Sequence, residues 1–252
     1  MSQPLEGRRV VVTGGAGGLG APLAALLATR GAEVTIVDRV PSQLVVPHML
    51  VDFGDAEALS TLCATLAADP PDILVNLAGI MSFGLHETSD AARVALCYHV
   101  NLVVPALLAR AVAGPMRARG SGQIVNIGSM LGAVPYPWFA VYSSSKAGLA
   151  ALSQALRREL AQSGVTVTHV APRATRTAFN AGDVDRFLAA TGMRADNPQH
   201  VARRIADAIC RREGDVGIGT MERIFAAINA LAPRLIDLGL ARQVTLAKRE
   251  FG

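Results

Sequence analysis

Cysteine is scarce in this chain, and what there is does not pair off. Cys63, Cys97 and Cys210 are an odd number of widely separated thiols with no C-x-x-C pair. A disulfide framework and a cysteine-built metal site are therefore both disfavoured, no metal is expected, and the thiols should be reduced. Charge is thin as well, at 17% of residues against roughly 25% in an average globular chain. The 24 Lys and Arg residues are scattered among 20 Asp and Glu, so the formal charge of +4 comes without a basic run. That pattern reads as solvated surface, and no nucleic-acid partner is expected. No uninterrupted apolar stretch reaches the roughly 18 residues of a spanning helix. Met1 to Arg9 lacks the apolar run of a signal peptide, and a cytoplasmic location is the expectation.

What is present is apolar residue in quantity, 51% of 252 positions, enough for one large α/β domain with a buried core. Short β-rich runs alternate with longer Ala/Leu-rich segments. Strands are expected over Arg9–Thr13, Glu33–Asp38, His48–Asp52, Ile73–Asn76, Gln123–Ile127, Thr166–Ala171 and Val216–Ile218. Helices are expected over Leu19–Arg30, Asp55–Ala67, Ser89–Arg119, Val141–Gln162 and Pro198–Arg212. Strands that are apolar without alternation are buried on both faces, and strand–helix alternation implies a parallel sheet. The fold class is therefore α/β, a single doubly wound Rossmann-like domain with a mainly parallel seven-stranded sheet. It is expected to occupy residues 1–219, with residues 220–252 a C-terminal helical extension packed on the same domain or on a partner subunit. Pro172 to Asn197 breaks the alternation and reads as an insertion of the kind that covers an active site.

The first strand runs straight into Gly14-Gly15-Ala16-Gly17-Gly18-Leu19-Gly20 and then an Ala/Leu helix. Glycine permits a sharp turn and close backbone approach to a pyrophosphate, and a helix N-terminus offers free N–H groups to that anion. Asp38 ends the second strand about 20 residues further on. A carboxylate there can accept hydrogen bonds from the adenosine ribose diol and repels a 2′-phosphate, which favours NAD over NADP. Arg39 follows and offers a phosphate partner, but Gly17 brings no second basic group; an ordinary strand-end turn is the competing reading of Asp38.

Tyr142-Ser143-Ser144-Ser145-Lys146 opens a long helix, and four-residue spacing puts Tyr142 and Lys146 on one face. A neighbouring ammonium and an oxidised nicotinamide both favour phenolate and should bring the phenol, ordinarily near 10, into working range. Ser129 follows the fifth strand at its carboxyl end, where such sheets bind ligands. A lone Tyr-x-x-x-Lys is weak, but its coincidence with Ser129 and the glycine loop is not.

With these residues in place the sequence resembles the short-chain dehydrogenase/reductase family over Leu5 to Gly219. Thr13-Gly14-x-x-x-Gly18-x-Gly20 matches the family's cofactor motif and Asp52 its adenine-contacting acid. Asn76-Leu77-Ala78-Gly79 resembles its Asn-Asn-Ala-Gly motif, with Leu77 in place of the second Asn. The resemblance implies a catalytic set of Asn101, Ser129, Tyr142 and Lys146. It implies cofactor contacts from Gly14, Gly18, Leu19, Gly20, Asp38, Arg39, Asp52, Phe53, Asn76, Ala78, Gly79, Tyr142, Lys146, Thr175 and Thr177. In that mechanism Tyr142 exchanges a proton with the substrate oxygen, which Ser129 hydrogen-bonds. Lys146 holds the nicotinamide ribose and depresses the phenol's pKa, and Asn101 positions a relay water. One departure stands out: the family's Pro-Gly after the sixth strand is here Pro172-Arg173. An arginine would be strained if the backbone there needed positive φ, and a tolerated surface arginine is the first expectation, with contact to an anionic group the second.

The segments expected around the nicotinamide hold Met81, Phe83, Tyr136, Trp138, Phe139, Phe179, Phe187 and Met193. They suit a lipophilic secondary alcohol or ketone, with core packing the competing reading. His86 and His99 read as structural or surface residues. Met221, Ile224, Phe225, Ile228, Leu231, Ala232 and Leu235 form a helical apolar stripe that Pro233 should end, with a looser continuation beyond and basic residues Arg242, Lys248 and Arg249 nearby. Closure of the pocket or of a subunit interface is the expectation for this stripe, and membrane-surface contact the less favoured one. The resemblance also implies a homodimer or homotetramer built on the helices of Asn101 and Tyr142. An NADPH-dependent ketoreductase of fatty-acyl or polyketide metabolism is the alternative enzyme. A dinucleotide-sensing protein without turnover is a third reading, disfavoured because Tyr142 and Lys146 are both kept.

Overall fold

The computed structural model describes residues 4–251, with the Arg242 side chain outside the described residues. Seven parallel strands, β1 (Arg9–Thr13), β2 (Glu33–Asp38), β3 (His48–Leu50), β4 (Ile73–Asn76), β5 (Gly122–Ile127), β6 (Val165–Ala171) and β7 (Asp215–Gly217), form one sheet in the order β3-β2-β1-β4-β5-β6-β7. Val10, Val12, Leu74, Val75, Ile124 and Val125 are almost wholly buried, as strands covered on both faces require. The order reverses between β1 and β4, and the crevice at that reversal is where such sheets bind ligands.

Helices α1 (Gly20–Thr29) and α8 (Pro198–Arg211) cover one face through Leu23, Leu27, Val201 and Ile205. The helices α2 (Ala56–Ala68), α3 (Ala91–Tyr98), α4 (Val104–Arg119), the one-turn α5 (Met130–Ala133) and α6 (Ala140–Glu159) follow on the chain. The core of the opposite face includes Leu62 of α2 and Leu108 and Met116 of α4. Caps set several of the starts: Asp55, Asp90 and Asn197 each accept backbone N–H bonds, and Pro198 takes the first position of α8.

Several boundaries depart from expectation. The single helix expected over Ser89–Arg119 begins at Ala91, because Asp90 caps it, and is interrupted by a π-helical turn at His99–Val103. By length and composition Ala91–Arg119 could cross a bilayer, but Val104, Leu108, Val112 and Met116 are core residues against the sheet. The strand at His48 stops at Leu50, since only three residues pair with β2. The Pro172–Asn197 insertion holds a 3₁₀ turn and α7 (Asp183–Thr191). Beyond β7 the stripe forms α9 (Thr220–Leu231), and Pro233 starts a separate helix α10 (Pro233–Phe251), regular rather than loose. Helix α9 packs on α5, and α10 on α7 and α9. The outer part of the stripe stays open to solvent through Ile224 and Leu231.

Candidate active site

The glycine loop leaves no room for side chains. A Cβ on Gly14, whose φ is +69°, would lie 2.8 Å from the Ala78 Cα, and one on Gly20 would lie 2.0 Å from the Gly14 carbonyl oxygen. Helix α1 has no side-chain N-cap; Ala21 N donates to the Gly17 carbonyl at 2.9 Å and Pro22 has no N–H, so the backbone N–H groups before Ala21 are the ones placed to meet an anion. Thr13 Oγ1 accepts from the N–H groups of Leu77 and Ala78, both at 3.1 Å, and fixes the β4 loop against β1. At the end of β2, Asp38 accepts from Ala16 N at 3.0 Å and Val40 N at 3.3 Å, which aims the carboxylate at the mouth of the loop. Asp52 accepts from Gly54 N at 2.8 Å, and the buried Phe53 accepts through its carbonyl from His99 Nε2 at 2.9 Å. His99 is thus structural, as expected.

One cavity of about 1230 Å³ runs along the carboxyl ends of the strands and is lined by Gly14, Gly18, Leu19, Gly20, Asp38, Arg39, Asp52, Phe53, Ala78, Gly79, Ser129, Tyr142, Lys146, Thr175 and Thr177. It exceeds the roughly 300–1,000 Å³ of a single-ligand pocket and has room for a cofactor and a second molecule. Crowded glycines in a turn that opens a helix and a strand-end carboxylate are what a dinucleotide requires, so these residues fit the group.

Two expected residues do not face this cavity. Asn76 Nδ2 donates to Asn126 Oδ1 at 2.9 Å, and Asn126 Nδ2 donates to Ser153 Oγ at 2.9 Å, so Asn76 belongs to a buried polar chain between β4, β5 and α6. Asn101 is wholly buried: its Oδ1 accepts from Ile80 N at 2.8 Å, and its Nδ2 donates to the Ile80 carbonyl and to Ser145 Oγ, both at 3.0 Å. A buried amide is driven to use its hydrogen bonds inside the protein. In this arrangement the Asn101 side chain clamps the backbone beside Gly79 rather than reaching the reacting atoms.

Ser129, Tyr142 and Lys146 do come together. Ser129 caps α5 by accepting from Leu131 N at 3.2 Å. Tyr142 lies one turn before Lys146 on α6, with the Lys146 Nζ 6.0 Å from the phenol ring centre and donating to the Ile127 carbonyl at 2.9 Å. Burial pushes the Tyr142 phenol up to about 12, the Ser129 hydroxyl pulling it back, and burial pushes the Lys146 ammonium down to about 8. In the cofactor-free protein burial sets the direction at both groups, and the Lys146 ammonium is held on the Ile127 carbonyl rather than on the phenol oxygen.

The aromatic residues divide. Met81, Tyr136, Phe139, Phe179 and Met193 line the cavity, with the Phe179 ring 6.1 Å from that of Tyr142. Phe83, Trp138 and Phe187 instead join a cluster packed edge to face, with Phe83–Phe139 at 5.0 Å and Phe139–Phe187 at 5.3 Å. Trp138 holds a left-handed φ of +66°, a conformation that only tight surroundings impose on so large a residue. The missing wall comes from α9 and α10, through Met221, Phe225, Ile228, Leu235, Ile236 and Leu240. Their helical spacing was legible, but their destination was not.

Arg173 is neither a free surface arginine nor a strained one. Its φ is not positive; among the described non-glycine residues only Trp138, Gln162 and Arg212 are left-handed. Its guanidinium donates to both oxygens of Asp196, at 2.8 and 2.7 Å, and to Glu222 at 3.2 Å. It staples the insertion to the start of α9.

Residues 8–186 match the family model described as short chain dehydrogenase. The chain is 36% identical to the cis-4-hydroxycyclohexanecarboxylate dehydrogenase of Sinomonas cyclohexanicum, over 82% of this chain and 90% of that protein. It is 30% identical to the ketoacyl reductase HetN of a Nostoc species, over 92% of this chain and 88% of that one. Among solved structures, a Beutenbergia cavernae protein provisionally assigned as an NAD(P)-dependent gluconate 5-dehydrogenase, with bound NADP at low occupancy, is 30% identical. It superposes with a TM-score of 0.76 over 86% of this chain and 97% of that one. The chain belongs to the short-chain dehydrogenase/reductase family. It is an NAD(P)-dependent oxidoreductase acting on CH–OH groups.

Proposed function

We propose that this enzyme uses NAD(H) to interconvert a lipophilic secondary alcohol and its ketone, with Tyr142 as acid and base. The observation that carries the reading is the convergence of Ser129, Tyr142 and Lys146 at one end of a cavity whose far wall is apolar. Tyr142 takes the hydroxyl proton in oxidation and returns it to the carbonyl oxygen in reduction, while Ser129 donates a hydrogen bond to that oxygen. Lys146 holds the nicotinamide ribose, and Asn101 keeps the strand-end loop under it in register. The dinucleotide, when bound, accepts or supplies the hydride. The glycine loop and the α1 N-terminus would hold its pyrophosphate, Asp38 its adenosine ribose, and Thr175 and Thr177 its carboxamide side. The substrate named in the 36%-identical relative is an alicyclic secondary alcohol that also carries a carboxylate.

The helices α9 and α10 act as the roof of the same catalytic domain. Leu96, Val103 and Leu107 stay exposed on the α3–α4 face and support a homodimer or homotetramer built there. Three free cysteines accord with action in the cytoplasm. The resemblance to a ketoacyl reductase favours one second reading, an NADPH-dependent ketoreductase of fatty-acyl or polyketide metabolism. A plate screen of lipophilic alcohols with NAD⁺ and NADP⁺ side by side, read as reduced-cofactor absorbance, separates the two. Turnover with NADP⁺ alone overturns the NAD assignment, and none with either cofactor overturns the activity.

A further inference from the structure

Gly128 joins β5 to Ser129 and lines the cavity, and its backbone does not ask for glycine, since its φ is not positive. What asks for glycine is a side chain from the next strand. A Cβ on Gly128 would run into Nε2 of His169, with the ring carbons Cε1 and Cδ2 at 3.1 and 3.2 Å. His169, on β6, is buried at 5% exposure. Its other ring nitrogen, Nδ1, lies 3.0 Å from Oδ1 of Asp215 on β7, a carboxylate held below its usual range first of all by that bond. An ionised carboxylate only accepts, so Nδ1 carries the proton and donates, and in the neutral ring Nε2 is left bare toward Gly128. Nε2 is buried without a partner. The residue beside it in register, Asn126, supplies none, because its Nδ2 donates to Ser153 and its Oδ1 accepts from Asn76. Such an orphan calls for an explanation, and no hydrogen bond gives one. The shape of the ring does: it is a rigid plate, tied at one end to Asp215 and abutting the Gly128 backbone at the other.

The turn that this plate supports is the one that carries Ser129. Its backbone is bonded to the end of β6, from Gly128 N to the Val170 carbonyl at 2.7 Å and from Met130 N to the Pro172 carbonyl at 2.9 Å. Backbone bonds between strands act in the plane of a sheet, whereas side chains stand out of it. The two bonds therefore hold the turn alongside β6, and the ring stops it from settling onto the sheet face. We propose that His169 is a positioning residue of the active site: held by Asp215 and acting through Gly128, it sets where the Ser129 hydroxyl meets the substrate oxygen. This assignment rests on the reading of Ser129 and Tyr142 above. Gly128 and His169 are then one coupled choice. Either residue changed alone displaces Ser129, and the two changed together compensate.

The test is kinetic, on the best alcohol substrate, with NAD⁺ affinity by fluorescence titration and thermal midpoints measured on the same proteins. Ser129→Ala removes a donor to the reacting oxygen and should lower kcat about 10²–10³-fold. A displacement of about 1 Å can cost about 10²-fold, so His169→Ala should lower kcat about 10–10²-fold with NAD⁺ affinity nearly unchanged. Gly128→Ala should also lower kcat, by pushing the turn off the ring, and Gly128→Ala with His169→Ala should be faster than either single variant. In a Ser129→Ala background, His169→Ala should cost less than about twofold, since both changes remove one interaction. Asp215→Ala frees the ring and should lower kcat in the same direction by less. Its side chain is 53% exposed, so it decides the matter even if His169→Ala does not fold. Retention of kcat within about twofold in the His169 and Asp215 variants, with Ser129→Ala impaired, overturns the proposal and leaves Ser129 in its role. A fall in thermal midpoint with kcat intact does the same and marks His169 as core packing. A His169→Ala loss undiminished in the Ser129→Ala background, or a paired Gly128/His169 variant slower than both singles, also overturns it. Unchanged kcat in Ser129→Ala, or no alcohol turned over at all, removes the underlying reading and this one with it.

Discussion

Arg173→Ala tests how the roof of the cavity is held. The guanidinium bridges Asp196, 13% exposed, and Glu222, 29% exposed, and is itself 29% exposed. Exposed pairs contribute about 0–1 kcal/mol, whereas removing one member of a fully buried pair costs about 3–5 kcal/mol by leaving a charge unmatched. This staple lies between those limits, with a forked two-bond contact to the less exposed acid, so a loss of roughly 1–3 kcal/mol follows. For a chain of this size that lowers the thermal midpoint by roughly 2–12 °C. Because the staple joins the Pro172–Asn197 insertion to α9, KM for bulky substrates should rise more than kcat falls. Adding Asp196→Asn to Arg173→Ala should cost less than the sum of the single changes, since both break one contact. Calorimetry of the four proteins with parallel kinetics is the assay. A midpoint within about 1 °C of wild type with unchanged KM would show that the staple holds nothing.

Three further outcomes follow from the site. Tyr142→Phe keeps the ring but not the exchangeable proton, so kcat should fall about 10²–10⁴-fold with cofactor affinity nearly intact; retention of more than about a tenth of kcat refutes the acid–base role. Asp38→Ala should weaken NAD⁺ binding about tenfold and relax discrimination against NADP⁺, because charge-assisted bonds to the ribose are lost, and titration of both cofactors by fluorescence checks it. Burial lowers Lys146 from the usual 10.5 to about 8, so the unfolded chain binds that proton more tightly than the fold does. The resulting penalty is fully present below about pH 8 and is relieved as pH rises toward 10.5, while Tyr142, raised to about 12, begins to oppose it only above 10. The cofactor-free protein should therefore gain thermal stability from pH 8 to 10 relative to Lys146→Met, and parallel profiles for the two proteins refute the burial account.

The sequence by itself determined whatever depends on short-range spacing. Both-face apolar runs specified β1, β2 and β4 to the residue, because a strand buried in a parallel sheet cannot alternate. The glycine loop had to lie between β1 and α1, and Tyr142 and Lys146 had to share a face of α6, since these are consequences of chain geometry over a few residues. The tertiary structure decided the direction and partners of the side chains. Asn76 was legible as a strand-end residue, but Asn126, 50 positions away, turns it into the core. Asn101 was legible on its helix, but Ser145, 44 positions away, and the Ile80 backbone use up its amide. Arg173 finds Asp196 and Glu222 at separations of 23 and 49 residues. The aromatic residues split between cavity and core, and the apolar stripe of α9 became a wall, because each long side chain buries itself where non-local neighbours leave space. Periodicity says which residues face inward; only packing says what they meet there.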